Sequence, residues 1–187
     1  MPGLLVQQGD ARGNRRVGAG VTITMIRTAK PADLDAIVRL HTEARATYYR
    51  GHLAEEEYAG AEEVGRSRDG WARAIGRDDA TVLCAEPDGT LAGIAAYALR
   101  DGMMHLTQLH VSPAHWRKGV GSALHTECVA AWQRDGVAQA RLEVFVHNTR
   151  AQAFYAAHGW TPDPLHPRAG THVVLCLAVP DAGLPPR

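Results

Sequence analysis

The residues best suited to chemistry lie in one stretch of this chain, Met104 to Leu124. Leu106 to Val111 is apolar and β-branched enough to form a strand. Ser112-Pro113 ends it, because proline has no N–H to give to a ladder. Arg117 and Lys118 then place two cations in a turn, and Gly119 and Gly121 open a helix with apolar positions at Val120, Leu124, Cys128 and Trp132. Glycines let the backbone approach an anion closely. The first helical N–H groups have no partner within the helix, and the dipole adds partial positive charge there. Strand, basic turn and helix together make a seat for phosphate. The seat is not a Walker loop, since no Gly-x-x-x-x-Gly-Lys-Ser/Thr run occurs. Nor is it a dinucleotide fingerprint, whose last small position falls on Leu124, with no acidic residue following at ribose-binding distance.

The elements that must position this seat can be read on either side of it. Val21 to Arg27 alternates as a first strand, and Pro31 with acidic neighbours starts a helix striped by Leu34, Ile37, Val38 and His41. Thr47 to His52 breaks that helix, and a second begins near Ala54 and continues, bent at Gly65, through Val64, Trp71 and Ile75. Ala80 to Glu86 and Leu91 to Leu99 pair as a hairpin about Pro87-Asp88-Gly89-Thr90. Asp101-Gly102 turns into the central stretch, and Asp135-Gly136 ends its helix. Arg141 to Val146 is a further strand. Asn148 caps a helix, Thr149 to His158, that Gly159 ends in left-handed fashion, and Thr171 to Val179 is the last strand. No internal repeat or low-complexity linker divides the chain. The reading is therefore one domain over 21–179, a disordered leader over 1–20 and a tail over 180–187. Arg15-Arg16 alone is a poor export signal, since no long apolar region follows it.

Two motifs carry a family resemblance. The turn resembles motif A of the GNAT superfamily of N-acetyltransferases, Gln/Arg-x-x-Gly-x-Gly/Ala, with Gly119 and Gly121 at the small positions and Trp116 in place of Gln/Arg. The run His147 to Trp160 resembles motif B, with Asn148, Ala151, Phe154, Tyr155, Gly159 and Trp160 all in place. The resemblance spans roughly Val21 to Val179. It implies an α/β fold (α+β in some schemes), with a mixed, mostly antiparallel sheet of about six to seven strands flanked by about four helices.

It also implies an acyltransferase that moves the acetyl group of acetyl-CoA to a primary amine by direct attack in a ternary complex. Leu109, His110 and Val111 would pair with the pantetheine and offer a backbone N–H to the oxyanion. Trp116, Arg117, Lys118, Gly119, Val120, Gly121 and Ser122 would hold the pyrophosphate. Asn148, Ala151, Phe154 and Tyr155 would line the arm. Tyr155 would protonate the leaving thiolate, whereas an ordinary tyrosine there would satisfy its hydroxyl at the core edge. Asn148 has a plain role as N-cap beside the implied contact, and Ala151 and Phe154 share a helix face as core. The general base is Glu143, a carboxylate among apolar neighbours, or His110, with His105 and Gln108 as further options. Tyr48, Tyr49 and His52, between the first two helices, are candidate acceptor contacts. Glu55, Glu56, Glu57, Glu62 and Glu63 are either a solvated helix face or an acidic lip for a cationic amine. A non-catalytic acyl-CoA-binding module and a transferase of longer acyl chains are the other readings that fit.

Composition excludes several other classes. A hydrophobic share of 45% and a charged share of 21% suit a globular domain, and a net charge of zero provides no field for nucleic acid or an anionic membrane surface. No apolar run approaches the roughly 20 residues of a membrane span. Cys84, Cys128 and Cys176 are widely spaced, which argues against a disulfide framework or structural zinc and for a reducing cytoplasm. His105, His110 and His115 do not suggest a metal site, because strand residues five apart face opposite sides. The expected partners are a small-molecule or peptide amine and a second copy in a homodimer, with no metal.

Overall fold

The computed structural model describes residues 24–180 of the 187 in the chain. The expected leader, the start of the expected first strand at 21–23, and residues 181–187 lie outside the described residues. One eight-stranded sheet organises the rest. Its strands are β1 (Met25–Thr28), β2 (Ala80–Glu86), β3 (Gly93–Arg100), β4 (Met103–Val111), β5 (Gln139–Phe145), β6 (Thr161–Pro162), β7 (Arg168–Ala169) and β8 (His172–Ala178). They lie in the order β1-β2-β3-β4-β5-β8-β6, with β7 also paired to β8. Every pair is antiparallel except β4 with β5. The two-residue strands β6 and β7 are too short for any periodicity to register in the sequence.

Central strands are covered on both faces, so their residues read as near-continuous apolar runs. Leu83, Ala85, Ala95 and Tyr97 pack beneath α4 (Val120–Arg134) with Leu124, Cys128 and the fully buried Trp132. Val82, Cys84, Ile94 and Ala96 face α1 (Leu34–Tyr49) and α3 (Ala61–Ile75), meeting Ile37, Val38, Leu40 and Trp71. All three cysteines are free and buried.

Three local features differ from the sequence reading. The first helix does not break at Thr47 but runs to Tyr49. Its last turn is held by aromatic contacts, the Tyr49 ring lying 4.9 Å from Phe145, and Gly51 at φ 85° turns the chain only afterwards. The second helical segment is interrupted at Ala59–Gly60, not at Gly65. A single turn, α2 (Glu55–Tyr58), precedes α3, and a Cβ at Gly60 would stand 2.6 Å from Glu56 O. Strand β4 also starts earlier than expected, directly after Asp101 and Gly102. Both have positive φ (50° and 77°), as a two-residue hairpin turn matched to strand twist requires.

The sheet parts between β4 and β5. Only Met104↔Ala140 and His105↔Arg141 pair. Immediately beyond, β4 carries a bulge: Ala96 and Tyr97 are adjacent on β3, but their partners are Gln108 and Leu106, so Thr107 is the extra residue. Its hydroxyl donates to Ala96 O at 3.0 Å. A bulge bends its strand, and here the bend coincides with the loss of pairing to β5. Residues Leu106 to Val111 therefore keep a backbone edge that β5 does not occupy.

Candidate active site

Two cavities lie along the edge of β4 that β5 leaves free. The inner one, of about 460 Å³, is walled by His41, Arg45, Tyr48 and Tyr49 of α1, Glu63, Arg66 and Ser67 of α3, Leu106 to His110 of β4, and Glu143 to Phe145 of β5. The outer groove, of about 310 Å³, runs from Leu109, His110 and Val111 along His115, Trp116, Arg117 and Gly119 to Ser122, and is closed by Arg150, Ala151 and Phe154. Tyr48, Leu109, His110, Asn148, Ala151 and Tyr155 border both. The two spaces thus meet at a junction lined by a histidine, two tyrosines and an asparagine.

The outer groove gathers every residue expected to hold the cofactor except Lys118, which is exposed and lies outside it. Its floor depends on Gly93. A Cβ there would lie 2.8 Å from Val120 and 2.9 Å from Leu124, so only glycine lets α4 start this close to β3. Gly119 caps α4 at φ 84°. Arg117 is also left-handed, at φ 58°, a conformation uncommon for a side chain with a Cβ. Turns built from such residues aim successive N–H groups into one concavity, which suits an anion. A Cβ at Gly121 would touch the Phe154 ring at 3.4 Å, so that glycine keeps the helix start against motif B.

Tyr155 reaches the junction because Asn148 fixes where α5 (Thr149–Ala157) begins, its Oδ1 accepting from Ala151 N at 3.1 Å. Burial pushes the Tyr155 phenol far above its ordinary value. Tyr48 is raised as well, by burial first and by the neighbouring Tyr49 second. Both phenols therefore remain proton donors at neutral pH.

His110 is the central titratable group of the junction. Burial, then the neighbouring His41 and Arg45, hold its pKa well below the usual imidazole value, so it is neutral at pH 7. Nε2 lies 2.6 Å from Gln108 Oε1; with Nε2 donating, Nδ1 keeps its lone pair. His41 lies edge-on to it at 4.9 Å, bonds Ser67 Oγ through Nδ1 at 2.8 Å, and is pushed down to about 4 by burial and Arg45. Glu143 is exposed and borders only the inner cavity.

Among the expected acceptor contacts, Tyr48 and Tyr49 line the inner cavity. His52 does not, and instead stacks on His147 at 4.1 Å, beside Phe145. Three of the five glutamates have partners, whereas Glu55 and Glu56 are exposed at the start of α2. Glu57 accepts from Ala54 N at 2.9 Å, Glu62 pairs with Arg66, and Glu63 pairs with both Arg45 and Arg66. Of the five, only Glu63 lines the inner cavity. Arg45, Arg66, Ser67, Thr107 and His172 were not singled out in the sequence. For Arg45 a signal exists: His41, Arg45, Tyr48 and Tyr49 recur at one helix face. The bulge at Thr107 sets His105, opposite Ala98, and His110, opposite Ile94, on one face of the sheet and not on opposite faces as simple alternation predicts; among the described residues no group of three or more His, Cys, Asp or Glu could hold a metal ion. Nor is any helix of the described residues long and apolar enough to cross a membrane.

Comparison with known proteins gives the family. Residues 37–160 match the model of the acetyltransferase (GNAT) family. Among solved structures, the chain is similar to the PaiA N-acetyltransferase of Thermoplasma acidophilum in complex with coenzyme A, with a TM-score of 0.76 and 22% identity over 83% of this chain and 99% of that one. It is similar to the ribosomal-protein-S18-alanine N-acetyltransferase of Escherichia coli, with a TM-score of 0.65 and 20% identity over 86% and 97% of the two chains. The yncA protein of Salmonella typhimurium, with its cofactor acetyl-CoA, gives 0.63 and 20% over 88% and 98%. No curated protein matches the chain. Identities this low show a shared fold, whereas the family model covers more than half of the sequence. The chain belongs to the GNAT family of acetyltransferases.

Proposed function

We propose that this enzyme transfers the acetyl group of acetyl-CoA to a primary amine, with both substrates bound at once. The observation that carries the reading is the junction at Tyr155, where a phosphate-type groove and a separate polar cavity meet at the free edge of β4. A donor threaded along the groove from Gly119 and Gly121 would bring its thioester to His110 and Tyr155. An amine entering between α1, α3 and β5 would arrive from the other side.

The residues then divide the work. Backbone groups of Leu109 to Val111, facing the parting, pair with the pantetheine amides and offer an N–H to the carbonyl oxygen as charge develops there. Glu143, on the acceptor side alone, attracts the ammonium form, which gives one proton to solvent before its nitrogen can attack. His110 takes the amine proton as the C–N bond forms, because the nitrogen becomes far more acidic at that moment and a weak neutral base then suffices. The C–S bond breaks, and Tyr155 gives its phenolic proton to the departing sulfur. The ammonium nitrogen thus loses two protons in all, one to solvent before attack and one to His110; the thiol leaves with the proton of Tyr155, and His110 and Tyr155 return to their starting states through solvent.

The test is thiol release from acetyl-CoA over a panel of small amines, amino acids and peptides. Amine-dependent release with matching acetylated product supports the reading; tight CoA binding with no release for any amine would favour a binding module.

A further inference from the structure

Trp116 stands where motif A has its Gln or Arg, and a guanidinium from elsewhere in the chain lies on it. Arg150 Cζ is 3.3 Å from the centroid of the Trp116 ring, and the indole is pinned by Nε1 donating to Val111 O at 2.9 Å. Arg150 Nη2 also donates to Thr47 Oγ1 on α1 at 3.1 Å. One side chain thus ties α5, the phosphate turn and α1 together across the outer groove, which it helps to line.

Local electrostatics do not account for a cation at this position. Arg150 is in the first turn of α5, where the helix dipole is positive. It shares the groove with Arg117, and among the described residues no carboxylate lies within ion-pair distance of Arg117, Lys118 or Arg150. Desolvation lowers its pKa, as expected for a guanidinium without a counter-ion. A guanidinium carries five donors in a planar fork, and the hydrogen bond to Thr47 uses one. The indole holds the fork's plane fixed, which suits two-pronged contact with a phosphate.

We infer that Arg150 is a phosphate ligand of the acyl donor, supplying from α5 the guanidinium that the turn lacks at Trp116. The inference rests on the acetyl-CoA reading and adds to it a specific ligand on motif B. It separates this chain from an arrangement in which the turn alone grips the anion. The ligand could be the pyrophosphate or the 3′-phosphate of CoA, which share the same chemistry.

Calorimetry of the full chain with CoA and with 3′-dephospho-CoA, at several salt concentrations, tests it. Arg150→Gln should weaken CoA binding about 10- to 100-fold, the size of one charge-assisted hydrogen bond, and make the Kd less dependent on salt. Arg150→Lys, keeping charge but not the fork, should fall between. A loss on both ligands assigns the pyrophosphate; a loss on CoA alone assigns the 3′-phosphate. Wild-type affinity in Arg150→Gln, or weaker binding with an unaltered salt dependence, would overturn the inference and leave Arg150 as a structural strap. If the unmodified chain binds neither ligand, the acetyl-CoA reading itself fails, a distinct result.

Discussion

Asn148 and Ala151 are joined by a 3.1 Å hydrogen bond in which the asparagine's Oδ1 accepts the Ala151 N–H. The bond starts α5 and so sets where Tyr155, about two turns on from Asn148, meets the junction. It leaves the Asn148 amide N–H groups unused by the cap, and Asn148 borders both cavities. The plain cap and the implied cofactor contact are therefore compatible, through different atoms of one side chain.

Asn148→Asp separates the two roles. The carboxylate still caps, so chemical denaturation should find stability near that of the parent, whereas Asn148→Ala should cost about 1 kcal/mol. Both variants lose the amide donor, and calorimetry should show weaker acetyl-CoA binding in each.

Gly121→Val tests the phosphate turn. The new side chain meets the Phe154 edge at ordinary contact distance and crowds the groove floor without striking the backbone. CoA binding should fall below detection while the thermal midpoint drops by only a few degrees. Unchanged affinity would remove the turn from the binding site.

The sequence made the phosphate seat and motif B legible because both are local. Spacing alone put Gly119, Gly121, Asn148 and Tyr155 on the right elements. The inner cavity was less legible because it depends on contacts far apart in sequence. Arg45 meets Glu63 only when α1 packs on α3, and His110 faces His41 across a helix–sheet interface. The bulge at Thr107 leaves no period for a sequence pattern to reveal, yet it marks where β4 leaves β5. The acidic run was open to two readings in the sequence, a solvated face or a lip; local partners take up Glu57 and Glu62, and Glu63 meets Arg45 only through the fold.

Two buried histidines make stability depend on pH. His125 accepts from Trp160 Nε1 at 2.9 Å and is held down to about 4, mainly by burial and secondarily by His158; His41 is likewise held to about 4. Their folded values lie below the unfolded value of 6.5. Between about 6.5 and 4 the unfolded chain therefore binds more protons, and stability, complete above that window, falls as pH falls through it. Each histidine would contribute on the order of 3 kcal/mol to the loss. Denaturation midpoints measured from pH 7.5 to 4 should decline. His125→Gln should be less stable at pH 7.5 and show a shallower decline.

The two candidate bases should separate kinetically. His110→Phe keeps a ring at the junction but cannot accept a proton, so kcat should fall by about 100-fold or more. Glu143→Gln removes charge from the acceptor cavity alone and should raise KM for the amine more than it lowers kcat. Steady-state kinetics with the best amine decides this assignment. The reverse pattern would make Glu143 the base and His110 a positioning group.

The most direct test of the mechanism is the kcat of Tyr155→Phe. The change removes one hydroxyl and keeps the ring, so packing of a residue that is 7% exposed should survive. Acetyl-CoA affinity should remain near that of the parent. Proton transfer to the leaving thiolate would be lost, and general acid catalysis typically contributes about 100- to 10,000-fold. Steady-state acetyl transfer, measured side by side in both proteins, should therefore show a kcat lower by at least about 100-fold, with little change in KM. A variant that retains most of the parent's rate would show that solvent or another group protonates the sulfur, and would reduce Tyr155 to a packing residue.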